Sequence, residues 1–137
     1  MKAHVLLPVW LLLSSRAEVP QPTQGATAHL VIYRQREFDG MTYDIKINDK
    51  KWGALPTNRY LQLDLPAGQV KIESAKHYFS ENQTVQLDAQ PGRTYYIKAV
   101  EEVDFLTQTL LLAPVSEAQG QRELQGIKPA PAPRRAR

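Results

Sequence analysis

From Ala28 onward, apolar residues recur at every second position in short runs: Leu30 and Ile32; Tyr43, Ile45 and Ile47; Leu61, Leu63 and Leu65; Val70 and Ile72; Val85 and Leu87; Tyr95, Ile97 and Ala99. A strand sends alternate side chains to opposite faces, so this period predicts strands with one face in a core and the other in water. Turn formers stand between the runs: Asp39-Gly40, Asn48-Asp49-Lys50-Lys51, Pro66-Ala67-Gly68 and Gln90-Pro91-Gly92. Proline falls at these boundaries and never in the middle of a run, as a hydrogen-bonded ladder requires. The last apolar run, Phe105 to Leu112, loses strict alternation at Leu110-Leu111-Leu112, which marks a strand buried on both faces or a strand end, closed by Pro114. About seven strands with hairpin-length connections predict an all-β fold, an antiparallel β-sandwich of immunoglobulin-like or transthyretin-like type.

After Pro114 the pattern changes. Ser116 is placed to cap one short C-terminal helix running through Glu123-Leu124, with Glu117 in the first turn, where a negative charge suits the helix dipole, and Gly120 weakening the interior. Lys128-Pro129-Ala130-Pro131-Ala132-Pro133 reads as extended polyproline, and Arg134-Arg135-Ala136-Arg137 carries charge with nothing to build a core. At the other end, Lys2 precedes a nine-residue apolar run, Val5 to Leu13, followed by Ser15-Arg16-Ala17. Small residues at both specificity positions predict signal-peptide cleavage after Ala17, since a permanent membrane helix takes about 20 residues. The resulting plan is a signal peptide over 1–17, a polar proline-bearing linker over 18–27, a β-sandwich domain over 28–128 and a disordered Pro/Arg tail over 129–137. It places the mature chain in the periplasm or outside the cell, without a transmembrane segment.

Charge and composition narrow the chemistry. The formal charge of +3 comes from the ends: Lys2 and Arg16 leave with the leader, Arg134, Arg135 and Arg137 sit in the tail, and the body between has a net charge of −2. That balance argues against a specific nucleic-acid partner, whose electrostatic footprint should lie on the folded domain. With no cysteine there is no disulfide, thiolate metal site or cysteine nucleophile. The three histidines, His4, His29 and His77, have no spacing that joins two imidazoles to a carboxylate, so no metal site is predicted. Neither a nucleophile elbow nor a phosphate-binding or dinucleotide glycine pattern occurs, and no catalytic residue or cofactor is assigned. A carboxylate pair brought together by folding is the one route to hydrolase chemistry that sequence leaves open.

Aromatic residues carry the remaining signal. Trp52, Tyr60, Tyr78 and Phe79 lie around turns and strand ends, where rings beside polar groups can hold a sugar or a peptide. The adjacent Tyr95-Tyr96 must point to opposite faces of a strand, so at least one of these rings belongs to a core. Arg134, Arg135 and Arg137 are candidates for contact with an anionic surface.

The stretch Tyr43-Asp44-Ile45-Lys46-Ile47-Asn48-Asp49-Lys50-Lys51-Trp52-Gly53-Ala54-Leu55, followed by Tyr60-Leu61-Gln62-Leu63-Asp64-Leu65-Pro66-Ala67-Gly68-Gln69-Val70-Lys71-Ile72, resembles lipoprotein-type β domains of the bacterial envelope, a domain-of-unknown-function family. Its hairpins are also similar locally to PEGA-type surface modules. The resemblance implies a β domain over roughly residues 28–128 and carries no catalytic residues. Many members of that family are implied to bear a lipidated cysteine after the leader, and its absence here favours a soluble form. The expected function is a non-enzymatic binding or structural module of the bacterial cell envelope, with an envelope protein or glycan as partner. The alternatives are a binder of carbohydrate or peptidoglycan fragments and a small hydrolase.

Overall fold

The computed structural model describes residues 26–38, 40–75 and 83–131. Nine strands and one helix follow in the order β1 (Thr27–Tyr33), β2 (Tyr43–Ile47), β3 (Lys50–Leu55), β4 (Arg59–Pro66), β5 (Gly68–Ala75), β6 (Gln83–Ala89), β7 (Thr94–Val103), β8 (Gln108–Val115), α1 (Glu117–Leu124) and β9 (Lys128–Pro129), counted among the described residues. They form a five-stranded sheet, β8-β7-β1-β4-β9, and a four-stranded sheet, β3-β2-β5-β6. The inward residues of both, including Leu30, Ile32, Tyr43, Ile45, Ile47, Leu55, Ile72, Ile97 and Leu110, share one core. The period-two runs therefore do what their pattern predicts, and the whole is sandwich-like.

The connectivity corrects the antiparallel expectation. The four-stranded sheet is antiparallel throughout, but β1 runs parallel to β7 with His29 opposite Thr94 and Tyr33 opposite Lys98, and β4 runs parallel to β9. The reason lies in Pro66-Ala67-Gly68. Gly68, at φ +128°, reverses the chain, yet β4 belongs to one sheet and β5 to the other, so this turn is a crossing between sheets and not a hairpin. Hydrophobic alternation specifies which face of a strand is buried and is silent on which neighbour it takes.

The strand count also exceeds about seven. Asn48 and Asp49, at φ 47° and 67°, make a two-residue turn of the left-handed kind that hairpins favour, so Lys50 and Lys51 already belong to β3. Pro114 lies inside β8 and does not close it; β8 is an edge strand, where a missing N–H is tolerated. Phe105 and Leu106 precede β8 at a hairpin tip, where the Asp104 carboxylate accepts from Phe105 N–H at 2.7 Å and Asp104 N–H donates to Thr107 O at 2.8 Å. Lys128–Pro129, expected as free polyproline, are extended and pair with β4.

The helix forms where predicted. Ser116 Oγ accepts from Gln119 N–H at 3.2 Å, and α1 lies over the outer face of the larger sheet. There Val31, Tyr33 and Tyr96 make a second small core with Tyr60, Val115, Leu124 and Ile127, so β1 is buried on both faces. Tyr95 and Tyr96 divide as their adjacency requires: Tyr95 packs toward the sandwich interior and Tyr96 under the helix.

Candidate functional site

Trp52 owes its position to a slip in the ladder between β2 and β3. Ile45 stands opposite Gly53 and Lys46 opposite Lys51, which leaves Trp52 as the extra residue of a bulge. A bulge bends its strand and re-aims a side chain, and Trp52 emerges 42% exposed on an otherwise regular edge strand. Gly53 beside it is buried, and β3 there faces Leu61 of β4 across the gap between the sheets. Tyr60 comes from the start of β4, half in the core under α1. Trp52, Tyr60, Leu61, Gln62 and Leu63 line one side of a groove of about 330 Å³ whose other side is Pro129, Ala130 and Pro131.

The groove lies along a sheet edge that is largely open. β9 pairs with β4 only at Arg59 and Tyr60, and Ala130 N–H donates to Tyr60 O at 2.8 Å. Beyond that point no strand among the described residues pairs with this side of β4. Apolar walls, one amide side chain and main-chain donors and acceptors together suit a flat ring or an extended chain.

A second cluster sits at one end of the sandwich. Arg34, at the end of β1, is fully buried, and its Nη1 donates to Met41 O at 2.6 Å and to Leu55 O at 2.9 Å. Its Nη2 donates to Glu37 Oε2 at 2.8 Å and Glu101 Oε2 at 3.2 Å. Glu101 N–H donates in turn to Glu37 Oε1 and Met41 N–H to Glu101 Oε2, while the guanidinium lies 5.5 Å from the centre of the Tyr43 ring. Burial, and after it the Glu101 charge, pushes the Tyr43 phenol up to about 12. Folding thus assembles a carboxylate pair, Glu37 and Glu101, but both are engaged by one guanidinium and by main-chain N–H groups, an arrangement that locks the β1–β2 loop to β7.

At the same end the β7–β8 hairpin outruns its neighbour: β1 stops at Tyr33 opposite Lys98, while β7 continues to Val103 paired with β8 alone. Its tip carries Phe105 at 95% and Leu106 at 80% exposure, and Phe38 in the β1–β2 loop is 97% exposed. A shallow depression beside that loop is lined by Arg36, Glu37, Phe38, Thr57, Asn58 and Arg59.

Of the residues singled out by sequence, Trp52 and Tyr60 come together in one groove. Tyr78, Phe79, Arg134, Arg135 and Arg137 lie outside the described residues, as do residues 1–17, for which a signal peptide is expected. His29 pairs with Asp64 at 2.5 Å on the surface. Sequence reasoning missed Arg34, whose only signal was a charged residue directly after an apolar strand, and the exposed hairpin tip, which Asp104 announced as a turn. Among the described residues no group of His, Cys, Asp or Glu is arranged to hold a metal ion, and no helix is long and apolar enough to cross a membrane.

Over residues 24–108 the chain matches the family described as "Protein of unknown function (DUF2846)", and it belongs to that family. The matched span takes in β1 to β7 and the start of β8, leaving α1 and β9 beyond it. No curated protein and no solved structure matches the chain.

Proposed function

We propose that this member of the DUF2846 family is a non-enzymatic binding or structural module of the bacterial cell envelope, working outside the cytoplasm through the groove between β3 and β4. The observation that carries the reading is the exposed Trp52, set by a bulge to line one groove with Tyr60, beside a strand edge with few partners. Strand edges bind by main-chain pairing, and neighbouring apolar pockets add selectivity. The envelope address rests on the predicted leader over residues 1–17, and the two-sheet arrangement is consistent with an immunoglobulin-like or transthyretin-like sandwich.

Carbohydrate is the second reading, favoured by the exposed indole beside the Gln62 amide, a pairing of ring face and polar group that suits a sugar. The hydrolase alternative has less support, because Glu37 and Glu101 are occupied by Arg34.

Capture from envelope extract by the mature chain, residues 18–137, and by its Trp52→Ala variant tests the proposal. A partner held by the first and lost by the second supports it. Equal capture by both moves the contact elsewhere on the surface. Trp52 is the only tryptophan after residue 17, so a saturable change in its emission with muropeptides, without protein capture, selects the carbohydrate reading.

A further inference from the structure

The segment that forms one wall of the groove has an unusual donor pattern. Lys128, Ala130 and Ala132 alternate with Pro129, Pro131 and Pro133, so every second residue lacks an N–H. In an extended chain the main-chain groups of alternate residues point to the same side. Because Ala130 N–H donates to Tyr60 O and Pro129 stands opposite Tyr60, the main-chain groups of Lys128 and Ala130 face β4 and those of Pro129 face away. Such a strand can add to an edge but cannot itself be added to, since its outer side has no donors. Its side chains suit the groove as well, since Pro129, Ala130 and Pro131 line it together with Trp52, Tyr60 and Leu61.

Resting on the reading of this groove as the binding face, we propose that it takes extended peptides running parallel to β4 with proline at every second position, and that the chain's own Lys128–Pro131 is the resident occupant that controls access. The contact is built to be given up. β9 pairs at only two positions, and one net main-chain hydrogen bond changes an equilibrium by roughly fivefold. Release needs motion only after α1, where Gly126 holds φ +81° and Ile127 N–H bonds Leu124 O at 3.1 Å. Ile127 packs in the small core beneath the helix, so the segment stays tethered at the site when it leaves. A short tether keeps its effective concentration near the millimolar range, and an external peptide must overcome that advantage.

The test uses the full chain, its Ala130→Pro and Ala130→Ser variants, and a synthetic peptide Gly-Ile-Lys-Pro-Ala-Pro-Ala-Pro titrated by calorimetry. Ala130→Pro removes the N–H that holds β9, so it should bind the peptide about fivefold more tightly than the unaltered chain, whereas Ala130→Ser keeps the N–H and should match it. A peptide with proline at every position should fail to bind. Equal affinity of all three proteins would overturn self-occupancy and leave the binding face standing. No binding to an Ala130→Pro variant that keeps its β-type circular dichroism would overturn the peptide class and the peptide reading of the groove together. A second measurement does not depend on that variant: excess peptide should speed hydrogen exchange at the Ala130 amide of the unaltered chain, and an unchanged rate would refute displacement.

Discussion

Arg34 is the residue on which one end of the molecule depends. It joins the carbonyls of Met41 and Leu55 to the carboxylates of Glu37 and Glu101, linking both sheets and the β1–β2 loop through one side chain. Replacing it with methionine keeps the volume and strands two carboxylates next to each other, which should cost about 3–5 kcal/mol, a large share of a domain's stability. Urea unfolding of the variant against the parent at neutral pH measures that loss. Tyr33 offers the opposite case. Its hydroxyl is buried with no hydrogen-bond partner among the described residues, and burial, with the Glu123 charge second, pushes its pKa up to about 12. Tyr33→Phe removes that unsatisfied group and should gain about 1 kcal/mol. A phenol held neutral in the fold favours the native state below pH 10, its ordinary value, and that contribution is lost as pH rises toward 12. Thermal unfolding between pH 9 and 12 should therefore fall less steeply in the variant than in the parent.

Helix α1 shows how an element can be legible while its role is not. Ser116, Glu117 and the end at Leu124 follow from capping chemistry alone, and Gly120 reads as a weak point. In the structure Gly120 is the point of closest approach: a Cβ there would lie 2.5 Å from Tyr96 Cδ1 and 2.7 Å from Tyr96 Cβ. Gly120→Ala, which gains about 0.5–1 kcal/mol in an exposed helix, should instead lose about 1–3 kcal/mol in chemical denaturation. The helix is also held by Lys98 Nζ donating to Glu123 Oε2 at 2.6 Å, and that bond, followed by one from Gln119, lowers the Glu123 pKa. A depressed carboxylate stabilises the fold above its ordinary value near 4.3 and loses that effect as pH falls through the folded value. Acidification below pH 4 should loosen α1 in the parent, read by amide exchange, and Lys98→Met should show less change over the same window. The groove was half legible in the same sense. Trp52 and Tyr60 stood out as aromatics near turns, but nothing in their spacing says that a bulge turns one outward, or that β3 and β4 face each other from different sheets. Arg34 stayed hidden because two of its partners, Leu55 and Glu101, lie 21 and 67 residues away, beyond any local pattern.

The whole molecule alternates between its layers, placing β1 in one sheet, β2 and β3 in the other, β4 back in the first, and β5 and β6 again in the second before β7 and β8 return. Strand existence was readable from period two, and strand direction was not, because the pairing of β1 with β7 is decided by what the intervening residues bury. That non-local arrangement should make refolding slow for the size of the chain, in the millisecond-to-second range, measurable by stopped-flow emission of Trp52. A microsecond phase carrying the full amplitude would contradict it. The parallel pairing of Leu30 with Tyr95 has a further effect when the chain is made from its beginning. The strand at the centre of the larger sheet emerges early and must wait for one more than sixty residues later, so the core cannot close on a partial chain. A polypeptide organised this way stays open while only its first six strands exist, and folds as a unit once β7 is available to pair with β1.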